Sequence, residues 1–340
     1  MKRRYRAAIG AGVILVPLYL ANASWLANPP TGRPTLIAQR GVHPLFKRSS
    51  DDPQDCKARH ILPPRNPFIE NTLPSIRAAI AAGADIVEVD VRETADGEFV
   101  LFHDFGLECR TDGKGAVNQT TFADMKFLDV GYGYTADGGK TYPLRGRGRG
   151  LMTTLDEAFG AFPKQRFLVQ LKDGPSSGTN LVLYIDKRHP DAWGRIALFG
   201  DTPATEAAKK LRPQVPVVHD RRGAKCTLTY AALGWTGYGP KACRDGTMLV
   251  AMNMRALAWG WPNRFLGRMA SADADVMLIG SVSGLGSNDF TRLDTLDELA
   301  KVPDGFGGLI WTDRVEVIGP ALQKRWPRRS GSPKTAQYPP

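Results

Sequence analysis

Three carboxylates and one imidazole, Glu70, Glu88, Asp90 and His103, stand at the ends of short apolar runs between positions 70 and 104. Glu88 and Asp90 lie two apart in Val87-Glu88-Val89-Asp90-Val91, which reads as a strand. Side chains on a strand alternate in direction, so both carboxylates face the same side. Two like charges on the inner face of an apolar strand repel and lose hydration, and a cation between them relieves both costs. The spacing predicts a divalent-metal site, for calcium or magnesium, with a histidine acid/base beside it. Glu70 either ligates there or stabilises the helix that starts after it.

The positioning elements follow from the apolar pattern. Strands are predicted over Thr35–Ala38, Asp85–Val91, Phe99–Phe102, Phe167–Leu171, Ile196–Phe199, Val215–Val218, Met248–Met252, Val276–Ile279 and Gly308–Trp311. Helices are predicted over Leu73–Ala82, Leu155–Phe162, Ala204–Leu211, Asn263–Ser271 and Leu296–Lys301. Asn71-Thr72 before Leu73-Pro74 supplies cap chemistry with proline in the first turn. Strands alternating with helices predict an α/β fold, the (β/α)8 TIM barrel, with an open doubly wound sheet as the alternative. Catalytic groups of a barrel sit at the C-terminal ends of its strands. Gln39/Arg40, Glu88/Asp90, His103 and Gln170/Lys172 all fall at such ends. Arg145-Gly-Arg-Gly-Arg-Gly150 follows no strand and reads as a basic loop rather than a nucleotide cradle.

Charge placement bounds the partners. The chain carries a net charge of +11, but residues 1–33 and residues 324–340 contain no acid and hold +5 each, which leaves +1 for the body between them. That balance argues against nucleic acid and assigns the basic ends to topology and the membrane surface. Lys2, Arg3, Arg4 and Arg6 precede an uncharged run from Ala7 to Asn28. Residues 1–28 are a signal peptide, with Ala21-Asn22-Ala23 as a small-x-small cleavage site, or an N-terminal membrane anchor. Both predict export to the periplasm or another extracytoplasmic space, the anchor leaving the chain on the inner membrane. Residues 29–34 read as a linker, 35–320 as the barrel and 321–340 as a basic tail without packed structure. Four cysteines allow three pairings; Cys56–Cys109 with Cys226–Cys243 is the expected one.

From about Leu36 to Ile318 the chain resembles the glycerophosphodiester phosphodiesterase family. The residues that carry the resemblance are Gln39-Arg40-Gly41, Glu70-Asn71-Thr72, Glu88-Val89-Asp90, Asp96-Gly97 with His103-Asp104, and Gln170-Leu171-Lys172. It implies a barrel with a small insertion near residues 104–152 and metal-dependent hydrolysis of a phosphodiester derived from a phospholipid. It also implies Glu70, Glu88, Asp90 and Gln170 around the ion, His103 as proton carrier, and Arg40 and Lys172 on the phosphate. Two positions depart from the family pattern. Gln39 replaces a catalytic histidine and Gln170 a glutamate, and an amide neither exchanges protons near neutral pH nor adds negative charge.

His43, four residues past Gln39, either supplies the missing imidazole or is an ordinary loop histidine. Trp235, Tyr238, Trp259 and Trp261 either line a lipid or glycerol pocket or pack in the core. Two other functions share the same machinery. One is a catalytically impaired barrel that binds phosphodiesters or a partner, and the other a phospholipase D-like enzyme acting on intact lipids.

Overall fold

The computed structural model describes residues 15–47, 55–200, 202–218, 221–239, 241–284 and 290–328. The chain divides into two compact units, residues 36–217 with 312–340 and residues 1–35 with 218–311. Strands form at all nine predicted places: β1 Thr35–Gln39, β2 Ile86–Glu93, β3 Phe99–Leu101, β4 Arg166–Leu171, β5 Ile196–Phe199, β6 Val217–Val218, β7 Thr247–Ala251, β8 Asp275–Ile279 and β9 Leu309–Thr312. In the first unit the order is β6-β5-β4-β2-β1, with the short β3 antiparallel on β2; in the second it is β9-β8-β7. β2 pairs in parallel with β1 and β4, β4 with β5, and β8 with β7 and β9. With β3 set aside, eight strands alternating with helices make the (β/α)8 barrel class that the sequence predicts.

Every residue of β1 is buried, and in β2 all but the last. Strands covered on both faces read as continuous apolar runs, so the charges of β2 are exceptions on a buried surface. The turn that leaves β1 is tightly fixed. Arg40 (φ 52°) and Gly41 (φ 79°) are both left-handed. Asn71 N–H and Ser75 Oγ–H donate to the Arg40 carbonyl at 3.0 and 2.9 Å, and Val42 N–H donates to the Ser75 carbonyl at 3.1 Å. The turn is thereby clamped to the start of the helix Leu73–Ala81, whose Thr72 hydroxyl caps the Ser75 N–H as predicted.

The five predicted helices are present, with ends within two residues. Among the described residues five other helical stretches, 15–22, Phe122–Met125, Pro175–Arg188, Arg221–Leu233 and Val315–Arg325, were not legible as helices. Pro175-Ser-Ser-Gly-Thr-Asn180 reads as loop, yet it opens a 14-residue helix. A Cβ at Gly178 would stand 1.8 Å from the Ala204 carbonyl oxygen, so the glycine lets this helix close onto Pro203–Leu211. The unpacked tail expected from residue 321 is corrected. Leu322 and Trp326 are buried and continue the spacing of Val315 and Ile318 along the last helix. Residues 329–340 of that expected tail, and residues 1–14 of the expected signal or anchor, lie outside the described residues.

The stretch 104–152 is mostly irregular and carries its own apolar cluster. Leu107, Val117, Met125, Val130, Tyr134 and Leu144 pack there with Ile69 and Val100. Asp129 accepts from the Gly131 and Gly148 N–H groups at 3.0 and 2.9 Å, and so folds the basic loop 145–150 on itself. Both expected disulfides are formed, Cys56–Cys109 and Cys226–Cys243. The first ties the segment before Glu70 to the insertion.

The turn after β1 gives a stability test. A Cβ at Gly41 would lie 2.7 Å from the Ser75 carbonyl carbon, whereas at Gly97 (φ 78°) it would meet nothing within 4 Å. Gly97→Ala should cost about 1 kcal/mol for the left-handed backbone alone. Gly41→Ala should cost roughly 2–4 kcal/mol, because the clash adds to the same strain. Denaturant unfolding of both variants checks this; equal losses would mean that the turn is not clamped on Ser75.

Candidate active site

The parallel register brings the expected side chains to one rim. Gln39 on β1 is aligned with Glu88 on β2, and Asp90 on β2 with Gln170 on β4. Glu88 and Asp90 are 0% exposed. Arg40, turned back by its left-handed backbone, places Nε 2.8 Å from Asp90 Oδ2 and donates through Nη1 to Glu70 Oε2 at 3.2 Å. Its backbone N–H donates to Glu88 Oε2 at 3.1 Å. Lys172 Nζ lies 2.9 Å from Asp90 Oδ1 and donates to Gln170 Oε1 at 2.7 Å. Asn71 holds the same aspartate from below, with Nδ2 donating to Asp90 Oδ2 at 3.0 Å and Oδ1 accepting the Asp90 N–H at 3.2 Å.

These contacts set the ionisation of Asp90. Burial pushes its pKa up, but the charges of Arg40 and Lys172 outweigh burial and hold the carboxyl far below the usual range. Burial pulls Arg40 down, and Asp90, Glu88 and Asp313 more than reverse it. The pair is therefore fully charged although fully buried. Removing one partner of such a pair typically costs 3–5 kcal/mol, because the other charge is left uncompensated.

His103 follows β3 and belongs to a second chain of contacts. Its Nδ1 is 2.7 Å from Asp104 Oδ1, and Arg110 Nε donates to Asp104 Oδ2 at 2.7 Å. Arg110 Nη1 donates to the Tyr134 hydroxyl at 2.8 Å and pairs with Glu70, and Tyr134 donates to Glu70 Oε1 at 3.0 Å. Burial, then the nearby charges of Arg40 and Lys172, hold the imidazole well below its ordinary pKa. Burial pushes Asp104 up to about 6 and Arg110 down to about 10. Near neutral pH His103 is uncharged and Asp104 is ionised. A carboxylate can only accept, so Nδ1 carries the proton and Nε2 is left as the basic nitrogen.

Three of the four residues expected around an ion stand at adjacent strand ends, Glu88, Asp90 and Gln170. Among the described residues, no three His, Cys, Asp or Glu side chains are grouped so as to hold an ion. Glu70 braces the site in this arrangement, where Arg40, Arg110 and Tyr134 take up its oxygens. Glu88, Asp90 and Gln170 offer only oxygen atoms from adjacent strand ends, a donor set suited to a hard cation. They fit one on the condition that Lys172 leaves Asp90. In the present arrangement the cations against Asp90 are the protein's own, Arg40 and Lys172.

The sequence missed Arg110 and Tyr134. They come from the irregular insertion, and no spacing signals them. Asn71 was visible only as a cap residue within Glu70-Asn71-Thr72.

His43 is buried on the loop after β1, with Nδ1 donating to the Pro44 carbonyl at 2.8 Å and Nε2 3.7 Å from Asp313 Oδ1. Asp313 also acts on Arg40. His43 thus joins the cluster through Asp313, and no contact links it to Gln39. Gln39 itself is buried, and its Oε1 has no hydrogen-bond partner. Trp235, Trp259 and Trp261 belong to the other unit and line a separate cavity that includes none of these side chains.

Residues 57–181 match the family model described as the Glycerophosphoryl diester phosphodiesterase family. The uncharacterised protein Rv2277c of Mycobacterium tuberculosis is 37% identical over 167 residues, 49% of this chain and 55% of that one. A glycerophosphodiester phosphodiesterase of Bacillus subtilis is 35% identical over 127 residues, 36% of this chain and 37% of that one. The chain thus spans about half the length, or less, of these relatives. The crystal structure of the Glycerophosphoryl Diester Phosphodiesterase Domain of Rv2277c superposes with a TM-score of 0.60 at 21% identity, over 86% of this chain and 99% of that one. An Oleispira antarctica phosphodiesterase in complex with the product sn-glycerol-3-phosphate gives 0.54 at 18% identity, over 86% and 97%. At these identities the superpositions establish the barrel fold. The stretch that holds Glu70, Glu88, Asp90, His103 and Lys172 lies within the residues that are similar to the glycerophosphoryl diester phosphodiesterase family.

Proposed function

We propose that the chain is an exported phosphodiesterase that hydrolyses glycerophosphodiesters or a related phospholipid headgroup diester with a divalent cation, calcium or magnesium. One observation carries this reading: an uncharged imidazole, oriented by an ionised aspartate, shares a strand-end rim with two cations whose charge suits a phosphate. Arg40 and Lys172 bind the phosphate oxygens and stabilise the charge that grows on them during attack. His103 Nε2 takes a proton from the attacking water as the new P–O bond forms. As imidazolium it returns that proton to the leaving alkoxide when the old P–O bond breaks. Gln39 donates an amide hydrogen bond and moves no proton. Asp104 and Arg110 keep the ring oriented.

Glu88, Asp90 and Gln170 are the residues proposed to hold the ion, which supplies Lewis-acid charge stabilisation when bound. The substrate adds negative charge while drawing Arg40 and Lys172 toward itself. Glu88 and Asp90 then require a new counter-ion. Two disulfides and no free cysteine support an oxidising, extracytoplasmic location. Gln39 and Gln170 favour the alternative of a binding barrel without turnover.

Turnover of glycerophosphodiesters by the purified protein, with calcium, magnesium or chelator, is the primary test. His103→Ala should lower kcat by roughly 10²–10⁴. A variant as active as wild type would remove His103 from the chemistry, and no turnover of any diester by wild type with either ion supports the binding barrel instead.

The rate should fall as pH drops through about 6, because protonated Asp104 no longer accepts from His103 Nδ1. The sign for stability is opposite. Asp104 holds its proton more tightly in the folded state, so it contributes stability fully below about pH 4, and that contribution is lost as pH rises through about 6. A pH–rate profile flat between 5 and 8 (a window on the order of the ordinary histidine range) would contradict the assignment.

Gln170→Glu adds the missing charge. Calorimetry should find that it binds calcium or magnesium at least about ten-fold more tightly than wild type. Unchanged affinity would place the ion elsewhere.

A further inference from the structure

The segment just before the barrel carries a surface that the phosphodiesterase reading does not use. Residues 15–22 are helical, and the chain from Ala21 to Ala27 is held by bonds within its own unit. Arg268 donates to the Ala21 carbonyl at 2.7 Å and to Asn22 Oδ1 at 3.1 Å. Asn263 donates through its backbone N–H to Ser24 Oγ at 2.9 Å and through Nδ2 to the Ala27 carbonyl at 3.3 Å. Asn22 Nδ2 donates to the Trp235 carbonyl, and Ala23 is buried. These residues are the ones that read as a cleavage site, Ala21-Asn22-Ala23. Cutting there would take two acceptors from the Arg268 guanidinium, which is itself only partly exposed.

Cutting would also remove one wall of a cavity of about 1110 Å³ that opens to solvent. Leu15, Leu18 and Tyr19 form that wall, opposite Trp235, Trp259 and Trp261. Its rim is apolar and exposed: Leu15 is 62%, Tyr19 65% and Trp235 43% accessible. We propose that residues 15–27 are retained in the mature protein and that this aromatic groove docks on the surface of an anionic phospholipid bilayer.

Three observations select that occupant. Tyrosine and tryptophan at the rim present an apolar body and a polar edge, the chemistry of the lipid–water interface. The sequence has no acid from residue 1 to 33, while Lys2, Arg3, Arg4 and Arg6 precede the helix and Arg255 lies in the groove lining. That charge complements anionic headgroups. A second copy of the chain would bring the same positive charges together and be repelled. Among the described residues no helix is long and apolar enough to cross a membrane.

The test uses the full-length chain purified from an exporting host, with intact mass measured first. It is followed by flotation with phosphatidylcholine vesicles with and without phosphatidylserine. Retention of residues 15–27 and binding that needs phosphatidylserine are expected. Tyr19→Ser/Trp235→Ser replaces two exposed side chains and should lower vesicle partitioning about ten-fold or more with circular dichroism unchanged. A mature N-terminus after Ala23, binding indifferent to phosphatidylserine, or partitioning unaffected by the double substitution would each overturn the proposal. So would a concentration-dependent dimer that the double substitution dissociates, since the groove would then be a contact between copies. Arg268→Ala gives a second check: it should loosen the segment, seen as faster protease cleavage between residues 15 and 27, and unchanged cleavage would count against the docking.

Discussion

The negative charge of Asp90, fully buried in the middle of a strand, is the constraint on which the site depends. A carboxylate there is tolerable only with cations and donors packed against both oxygens. Arg40 meets one oxygen, Lys172 the other, and Asn71 adds a hydrogen bond. Arg40 reaches Asp90 by leaving β1 in a left-handed turn, which strains the backbone by about 1–2 kcal/mol. Gly41 follows it because a side chain would meet Ser75, and Asn71, also left-handed, binds both the Arg40 carbonyl and Asp90. The conformations of these residues follow from the ionisation of one side chain.

The insertion acts on the site through Glu70. Glu70 faces Arg40 on one side and Arg110 and Tyr134 on the other, so it couples the Asp90 cluster to the pair that orients His103. Glu70 transmits position between two charged groups. The apolar cluster behind the insertion and the Cys56–Cys109 bond fix that arrangement.

Much of this was legible in the sequence, for identifiable reasons. Strands buried on both faces are continuous apolar runs, so the eight of the barrel and the short antiparallel β3 were visible, and a strand's two-residue period placed Glu88 and Asp90 on one face. The helix Pro175–Arg188 was not visible, because its first turn is poor in helix formers. It exists because Gly178 permits close packing on Ala204, a tertiary cause. Arg110 and Tyr134 lie in irregular backbone, where no period links sequence to position. The partners of the carboxylates were the other gap. Spacing shows that Glu88 and Asp90 need a cation, and only the fold reveals that Arg40 and Lys172 can fill that need.

The central claim is that those protein cations exchange for an ion when a phosphate arrives. Calcium titration by calorimetry, with and without sn-glycerol 3-phosphate, tests it most directly. The account predicts weak calcium binding alone, tightening about five-fold or more with the anion, and the same factor for the anion with calcium, since coupling is reciprocal. Calcium and anion that bind independently, or an anion that binds equally well in chelator, would contradict it.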